Sequence, residues 1–258
     1  MITGMFTGAT GMEAQQRKLD TISNNLANVD TTGYKQSRNE FADLYYVYTR
    51  DLGGPDMENP RGDTGVYTGL GVKEAQTKRI FTQGDMEITN RPLDVAIEGQ
   101  GFFEVTLDDG TLAYTRDGSF DFSNNQLYIN NQPITGGAVA PSTTTYDLTI
   151  QSNGTVIDSN TGQQVGAIEV FNFVNPEGLK SIGDNFYLET AASGEKENVV
   201  LGSARAGTKL GAGILEKSNV KAVKEMVNMI SAQRAYEFNS KSITTADNML
   251  QTVNALKR

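Results

Sequence analysis

The chain has 258 residues, room for one or two domains, with no Cys, His or Trp, a formal net charge of −9 and a pI near 4.7. These absences exclude disulfides, thiolate and imidazole metal sites, Cys nucleophiles and Ser-His-Asp triads, and an acidic chain without a basic run argues against a nucleic-acid partner. No stretch approaches the roughly 18 consecutive apolar residues that a membrane-spanning helix needs, so no membrane insertion is expected.

The first residues, Met1-Ile2-Thr3-Gly4-Met5-Phe6, lack the basic and apolar regions of a secretory signal. On these features alone the expected compartment is the cytoplasm. Met5, Met12, Leu19 and Leu26 are seven apart, and Gly8, Gln15, Ile22 and Val29 fall three residues after each. This is a heptad pattern, which keeps one stripe on one helix face and favours a seam against another helix. Its seam is mixed, because Gly8 and Gln15 are weak core residues. Gly4, Gly8 and Gly11 each cost about 1 kcal/mol of helix propensity relative to Ala, so this end should order only when something packs on it. Gly33 can take the left-handed conformation that ends a helix.

Residues 36–71 read as a linker or insertion segment. Phe41, Leu44, Tyr45, Tyr46 and Tyr48 form an aromatic group for which periodicity leaves a short helix face or an extended segment open. Tyr combines large contact area with a polar tip, so these five are candidate subunit contacts. From Asp51 to Gly71 the composition is Gly/Pro/Asp-rich, which is turn chemistry with little to build a core from.

Residues 72–215 carry short runs with β-branched and aromatic residues, punctuated by turns, among them Val72 to Thr82, Leu93 to Glu98, Phe102 to Leu107 and Val165 to Val174. Asp109-Gly110, Asp117-Gly118 and Asn153-Gly154 are hairpin signals. The expectation is a central antiparallel β domain. Asp108, Asp109, Asp117 and Asp121 flank these turns, and turn chemistry explains them better than the paired carboxylates of a glycosidase cleft. Gly99-Gln100-Gly101 lacks the third Gly and following helix of a phosphate loop and reads as a tight turn. Neither an enzyme nor a cofactor is expected.

The C-terminal stretch holds a second heptad run. Met229, Tyr236, Ile243 and Leu250 are seven apart, Ala232, Asn239, Ala246 and Val253 follow three residues after each, and Met226 and Ile230 widen the stripe near its start. Asn219 is the candidate N-cap. A Pro- and Gly-free helix over 219–256 is a rod of roughly 55 Å, too long for a small core to cover. Its partner is the other terminal helix. The fold class is therefore α+β, with residues 1–35 and 216–258 pairing as a discontinuous coiled-coil assembly domain around the β domain. The seam residues are Met5, Met12, Leu19, Ile22, Leu26 and Val29 on one side. On the other they are Met226, Met229, Ile230, Tyr236, Ile243, Ala246, Leu250 and Val253.

Three separated blocks carry a family likeness. Gly11-Met12-Glu13-Ala14-Gln15-Gln16 continues into Ile22-Ser23-Asn24-Asn25-Leu26-Ala27-Asn28-Val29 and Thr32-Gly33-Tyr34-Lys35. Asp94 to Phe103 is joined by Ala113-Tyr114-Thr115-Arg116-Asp117-Gly118-Ser119-Phe120. Leu215-Glu216-Lys217-Ser218-Asn219-Val220 leads into Gln233-Arg234-Ala235-Tyr236-Glu237. In this order they resemble the signature of the bacterial flagellar rod and hook protein family. Length and the 41–71 insertion resemble the members of the distal rod, rather than the shorter proximal rod or longer hook members. The Asn-rich stretch 121–137 and the acidic Asp56, Glu58 and Asp63 depart from the usual pattern.

The resemblance implies a structural subunit that assembles helically into a periplasm-spanning drive shaft, with terminal helices in an inner tube and the β domain outside. It implies export through the flagellar type III apparatus without a cleaved signal. The implied partners are further copies, neighbouring rod and hook subunits and the surrounding basal-body rings. A proximal rod or hook-type subunit is the alternative within the family, and a secreted glycan-binding or glycan-cleaving β protein the alternative outside it.

Overall fold

A computed structural model of the chain describes residues 2–50, 66–138, 148–160, 162–201 and 207–256. The Gly/Pro-rich stretch 51–65, with Asp56, Glu58 and Asp63, lies outside the described residues. The chain forms two compact units. One comprises Met1–Leu26, Ser37–Lys78 and Ala222–Arg258, and the other Ala27–Gln36 and Arg79–Lys221. The stretch expected as a linker thus contributes its described strands to the unit that holds both helices.

In this helical unit, α1 spans Ile2–Ala27 and α2 spans Ala222–Leu256. With no Gly or Pro in its 35 residues, α2 runs unbroken for roughly 50 Å. Asn219 does not cap it. The helix begins three residues later, and the Asn219 carboxamide is taken by backbone groups of the β unit described below. Strand β1 (Ser37–Asp43) pairs with β4 (Val72–Arg79), and β2 (Tyr46–Arg50) with β3 (Val66–Gly69). Leu44 N–H to Gly71 O at 2.8 Å and Leu70 N–H to Tyr45 O at 3.2 Å carry the ladder between the two pairs, so they form one long two-stranded arm. The aromatic group is therefore extended, which closes the alternative that periodicity left open. The arm lies along α1. Arg17 meets Glu74 at 3.3 Å, and the Asn25 side chain exchanges hydrogen bonds with Ser37 N and O at 2.9 and 2.8 Å.

The β unit holds β5 (Met86–Ile88), β6 (Val95–Glu98), β7 (Phe102–Thr106), β8 (Leu112–Thr115), β9 (Asp121–Ser123), β10 (Gln126–Ile129) and β11 (Gln132–Ala138). After these come β12 (Leu148–Ile150), β13 (Thr155–Asp158), β14 (Gln164–Ala167), β15 (Val170–Asn172), β16 (Lys180–Gly183) and β17 (Phe186–Leu188). The unit ends with β18 (Glu197–Val199), β19 (Lys209–Ala212) and β20 (Ile214–Glu216). Its largest sheet runs β16-β17-β8-β7-β11-β10-β9, with β15 also on β7 and β18 on β15. The pairings in this unit are antiparallel, as expected. Alternating apolar residues put Ile97, Phe103, Val105, Leu127, Ile129 and Ile134 into one buried cluster. A second cluster stacks Phe102, Tyr114, Phe171, Phe173 and Tyr187 edge to face, with ring centroids 4.7–6.5 Å apart.

Two of the three hairpin signals act as hairpins. Gly110 and Gly154 take positive φ, at 78° and 84°, between β7 and β8 and between β12 and β13. Asp117-Gly118 does not. The strands flanking it pair elsewhere, β8 with β7 and β17, and β9 with β10. Gly118 is glycine for closeness instead, because a Cβ there would lie 1.6 Å from Val95 O. Its carbonyl accepts the Val95 N–H at 2.9 Å.

Candidate assembly interface

An amphipathic surface helix has one apolar stripe, and α2 has two. Glu225, Ala232 and Ala246 are buried, and Met229, Asn239, Ile243 and Leu250 are half-buried on the same side. The opposite side carries Val223, Val227, Ile230, Phe238, Met249 and Leu256, all exposed, with Leu256 at 83%. Beside that second stripe a groove of about 440 Å³ is lined by Gly4, Phe238, Lys241, Thr245 and Met249 among others. Leaving such side chains in water forgoes about 1.5–3 kcal/mol for each one that a partner could bury fully.

Small residues of α1 receive the first stripe. A Cβ at Gly8 would lie 2.9 Å from Ile243 Cγ1, and one at Gly11 2.8 Å from Asn239 Nδ2. Since the later α1 position meets the earlier α2 position, the helices run antiparallel there. The glycines that weaken α1 as an isolated helix are the ones that admit α2.

Of the α1 seam candidates, Ile22 is buried and Met5, Met12, Leu19 and Leu26 are half-buried; Val29, also half-buried, belongs to the β unit. On α2, Ala246 is buried and Met229, Ile243 and Leu250 are half-buried, whereas Met226, Ile230, Tyr236 and Val253 are exposed. Met226 and Ile230 do not widen the covered stripe in the single chain.

The arm presents a second apolar surface. Tyr45 is 85% exposed, Tyr46, Val47, Tyr48 and Tyr67 are also exposed, and Phe41 and Leu44 are half-buried. Tyr67 contacts Tyr46 edge-on at 5.4 Å and Tyr48 at 6.0 Å, so three rings stack across the β2–β3 pair. Tyr45, Tyr46, Tyr48, Asp43 and Lys73 line a further cavity of about 480 Å³.

Inside the β unit, parts of the three sequence blocks converge on Glu216. Its carboxylate accepts Lys35 Nζ at 2.6 Å, Gly84 N–H at 2.8 Å and Arg116 Nη1 at 3.2 Å. Gly33 N–H reaches the Glu216 carbonyl at 2.8 Å. Gly33 does have positive φ, at 66°, but it lies well past the end of α1. A Cβ there would come within 2.7 Å of Asp117 N, so it docks the Thr32–Lys35 segment rather than ending the helix. Burial pushes the Lys35 amine down to about 8; Glu216 opposes that shift and Arg116 adds to it. Two cations and one carboxylate share this dry site. The three residues lie in the quoted blocks, but nothing in the sequence marked them as partners, since Lys35 and Glu216 are 181 residues apart.

The turn carboxylates are also engaged. Asp109 accepts the Thr111 hydroxyl at 2.6 Å, Asp117 accepts Thr32 and Ser119 hydroxyls at 3.1 and 2.9 Å, and Asp121 pairs with Arg91.

Comparison with known proteins matches three separate segments of the chain. The sequence model described as "Flagella basal body rod protein" matches residues 5–35, and "Flagellar basal body rod FlgEFG protein C-terminal" matches residues 212–256. "Flagellar hook protein FlgE/F/G D1 domain" matches residues 96–158. The flagellar basal-body rod protein FlgG of Borreliella burgdorferi is 47% identical, covering 100% of both chains. The proteins of that name from Buchnera aphidicola of Acyrthosiphon pisum and of Schizaphis graminum are 43% and 42% identical, each covering 99% of this chain and 100% of their own. With the matched segments and the full-length identity in agreement, the chain belongs to the flagellar basal-body rod protein family.

Proposed function

We propose that this chain is a structural subunit of the distal flagellar rod, self-assembling helically to carry torque from motor to hook. The observation that carries this reading is the second apolar stripe of α2. A helix apolar on two sides suits the interior of a multi-helix tube, in which one side meets α1 and the other meets neighbouring copies. The α1–α2 pair is read as a coiled coil in the inner tube, with the seam residues as its contacts and the tyrosine arm as a further contact between subunits. Such contacts are heterologous and do not close, which yields a filament. The β unit forms the outer layer, facing the surrounding rings in the periplasm. Further partners are neighbouring rod and hook subunits and the type III export apparatus that delivers the chain. No enzymatic step enters this role.

Ile243→Asp tests the reading. It places a charge against Gly8 in the seam and should abolish filament formation by the purified chain while leaving the β unit's unfolding transition in place. Filaments of normal length and yield from that variant would refute the seam as the assembly interface.

A further inference from the structure

The chain passes between its two units after residues 26, 36, 78 and 221. On the β-unit side of these passages, segments 33–36, 80–85 and 216–219 are bonded to one another, besides the contacts Phe81 makes with Phe102 and Tyr187 and Glu216 makes with Arg116 in the rest of the unit. Ile80 N–H donates to Gln36 O at 2.9 Å, and Lys217 N–H to Asp85 O at 2.8 Å. One side chain joins all three. Asn219 Oδ1 accepts the Gln36 N–H at 2.7 Å, while its Nδ2 donates to Ile80 O at 2.7 Å and to Thr82 Oγ1 at 3.0 Å. Asn219 N–H also reaches Tyr34 O at 3.4 Å. Glu216 repeats the pattern three residues earlier, on Gly33, Lys35 and Gly84.

We infer that Asn219 is a mechanical rivet: it ties the segments at the passages after residues 36, 78 and 221 into one element, so that force applied through any of these three is shared. The physical argument is geometric. A strand that leaves a unit unsupported is pulled away one hydrogen bond at a time, whereas cross-tied strands must break several bonds together. A carboxamide suits this place because only Asn or Gln offers an acceptor and two donors on one short planar group. Asp keeps the acceptor for Gln36 and loses the donors to Ile80 and Thr82. The inference rests on the torque-carrying reading above and adds a residue role to it.

The test uses the full chain, whose lack of Cys allows unique handles. Ser231→Cys on α2 and Ser181→Cys on β16, both exposed, let a fixed force load the passage at 221. Asn219→Ala should shorten the lifetime before the first rupture of the β unit roughly tenfold, about the effect of one lost hydrogen bond. Asn219→Asp should fall between it and the parent chain. Val156→Ala, a core truncation with chemical destabilisation at least as large, should leave the first-rupture lifetime near that of the parent. Should Asn219→Ala fail to fold, Asn219→Asp carries the same comparison. Parent-like lifetimes for the Asn219 variants, or an equal shortening by Val156→Ala, would overturn the rivet. Because the measurement is made on single chains, a failure of filament assembly bears on the shaft reading alone.

Discussion

The two units treat water differently. Among the described residues, twenty-six of the thirty buried apolar residues belong to the β unit, and fifteen of the twenty exposed large ones belong to the helical unit. Charge divides the same way. The helical unit has as many acidic as basic residues, so the net −9 falls entirely on the β unit. One unit has a closed core and a repelling surface, the combination that keeps a domain soluble and separate. The other is neutral, with apolar side chains on two sides of a long helix and along the tyrosine arm, the kind of exposed patch that marks an interaction surface. On the shaft reading proposed above, a subunit that stays apart until it packs among copies gains from separating these properties into different units.

Perturbations of each unit should therefore read out differently. The largest effect is expected at Glu216. Glu216→Gln leaves Lys35 and Arg116 buried without an anion, and the β unit should lose about 3–5 kcal/mol in denaturant unfolding. A loss below about 1 kcal/mol would show that the cluster is solvated and not the anchor described. In the helical unit, Phe238→Ser on the second α2 stripe should change monomer stability by less than about 0.5 kcal/mol, as exposed substitutions do, yet raise the critical concentration for assembly. An unchanged critical concentration would remove that stripe from the interface.

Lys35 gives a smaller, pH-dependent signature. Its amine is depressed from 10.5 to about 8 in the fold, so between these values the unfolded chain binds more protons and stability should rise with pH. Burial raises the phenols of Tyr114 and Tyr187, so above about pH 10 the folded state holds their protons more tightly and ionisation favours unfolding. Stability of the β unit should thus peak near pH 10, and Lys35→Met should abolish the rise. A flat profile for the parent chain from pH 8 to 10 would contradict the buried placement. The smallest effect belongs to the Arg17–Glu74 pair, with Arg17 exposed and Glu74 half-buried, where Arg17→Gln should cost under about 1 kcal/mol.

Much of this division could be read from sequence, because it rests on local periodicity. Heptads locate α1 and α2 to within a few residues, and alternation with Asp-Gly and Asn-Gly turns locates β7, β8, β12 and β13. Elements whose stability comes from distant partners were not visible. Strand β11 contains Pro133, Gly136 and Gly137, which argue against a strand locally, and it forms because β7 and β10 flank it. β19 and β20 are short and pair with β6 and β5, more than a hundred residues away. Asn219 shows the same limit in one side chain. A carboxamide before a helix signals a cap, and only the fold brings Gln36 and Ile80 close enough to claim it. Met226 and Ile230 follow the period of an apolar face, but period alone does not say which of two faces a single chain covers.

The most direct test of the shaft account is electron microscopy of basal bodies from cells lacking this chain. The account predicts rods that stop short and carry no hook. Complete rods lacking only the hook would move the subunit to the hook, and normal basal bodies on motile cells would contradict the account altogether.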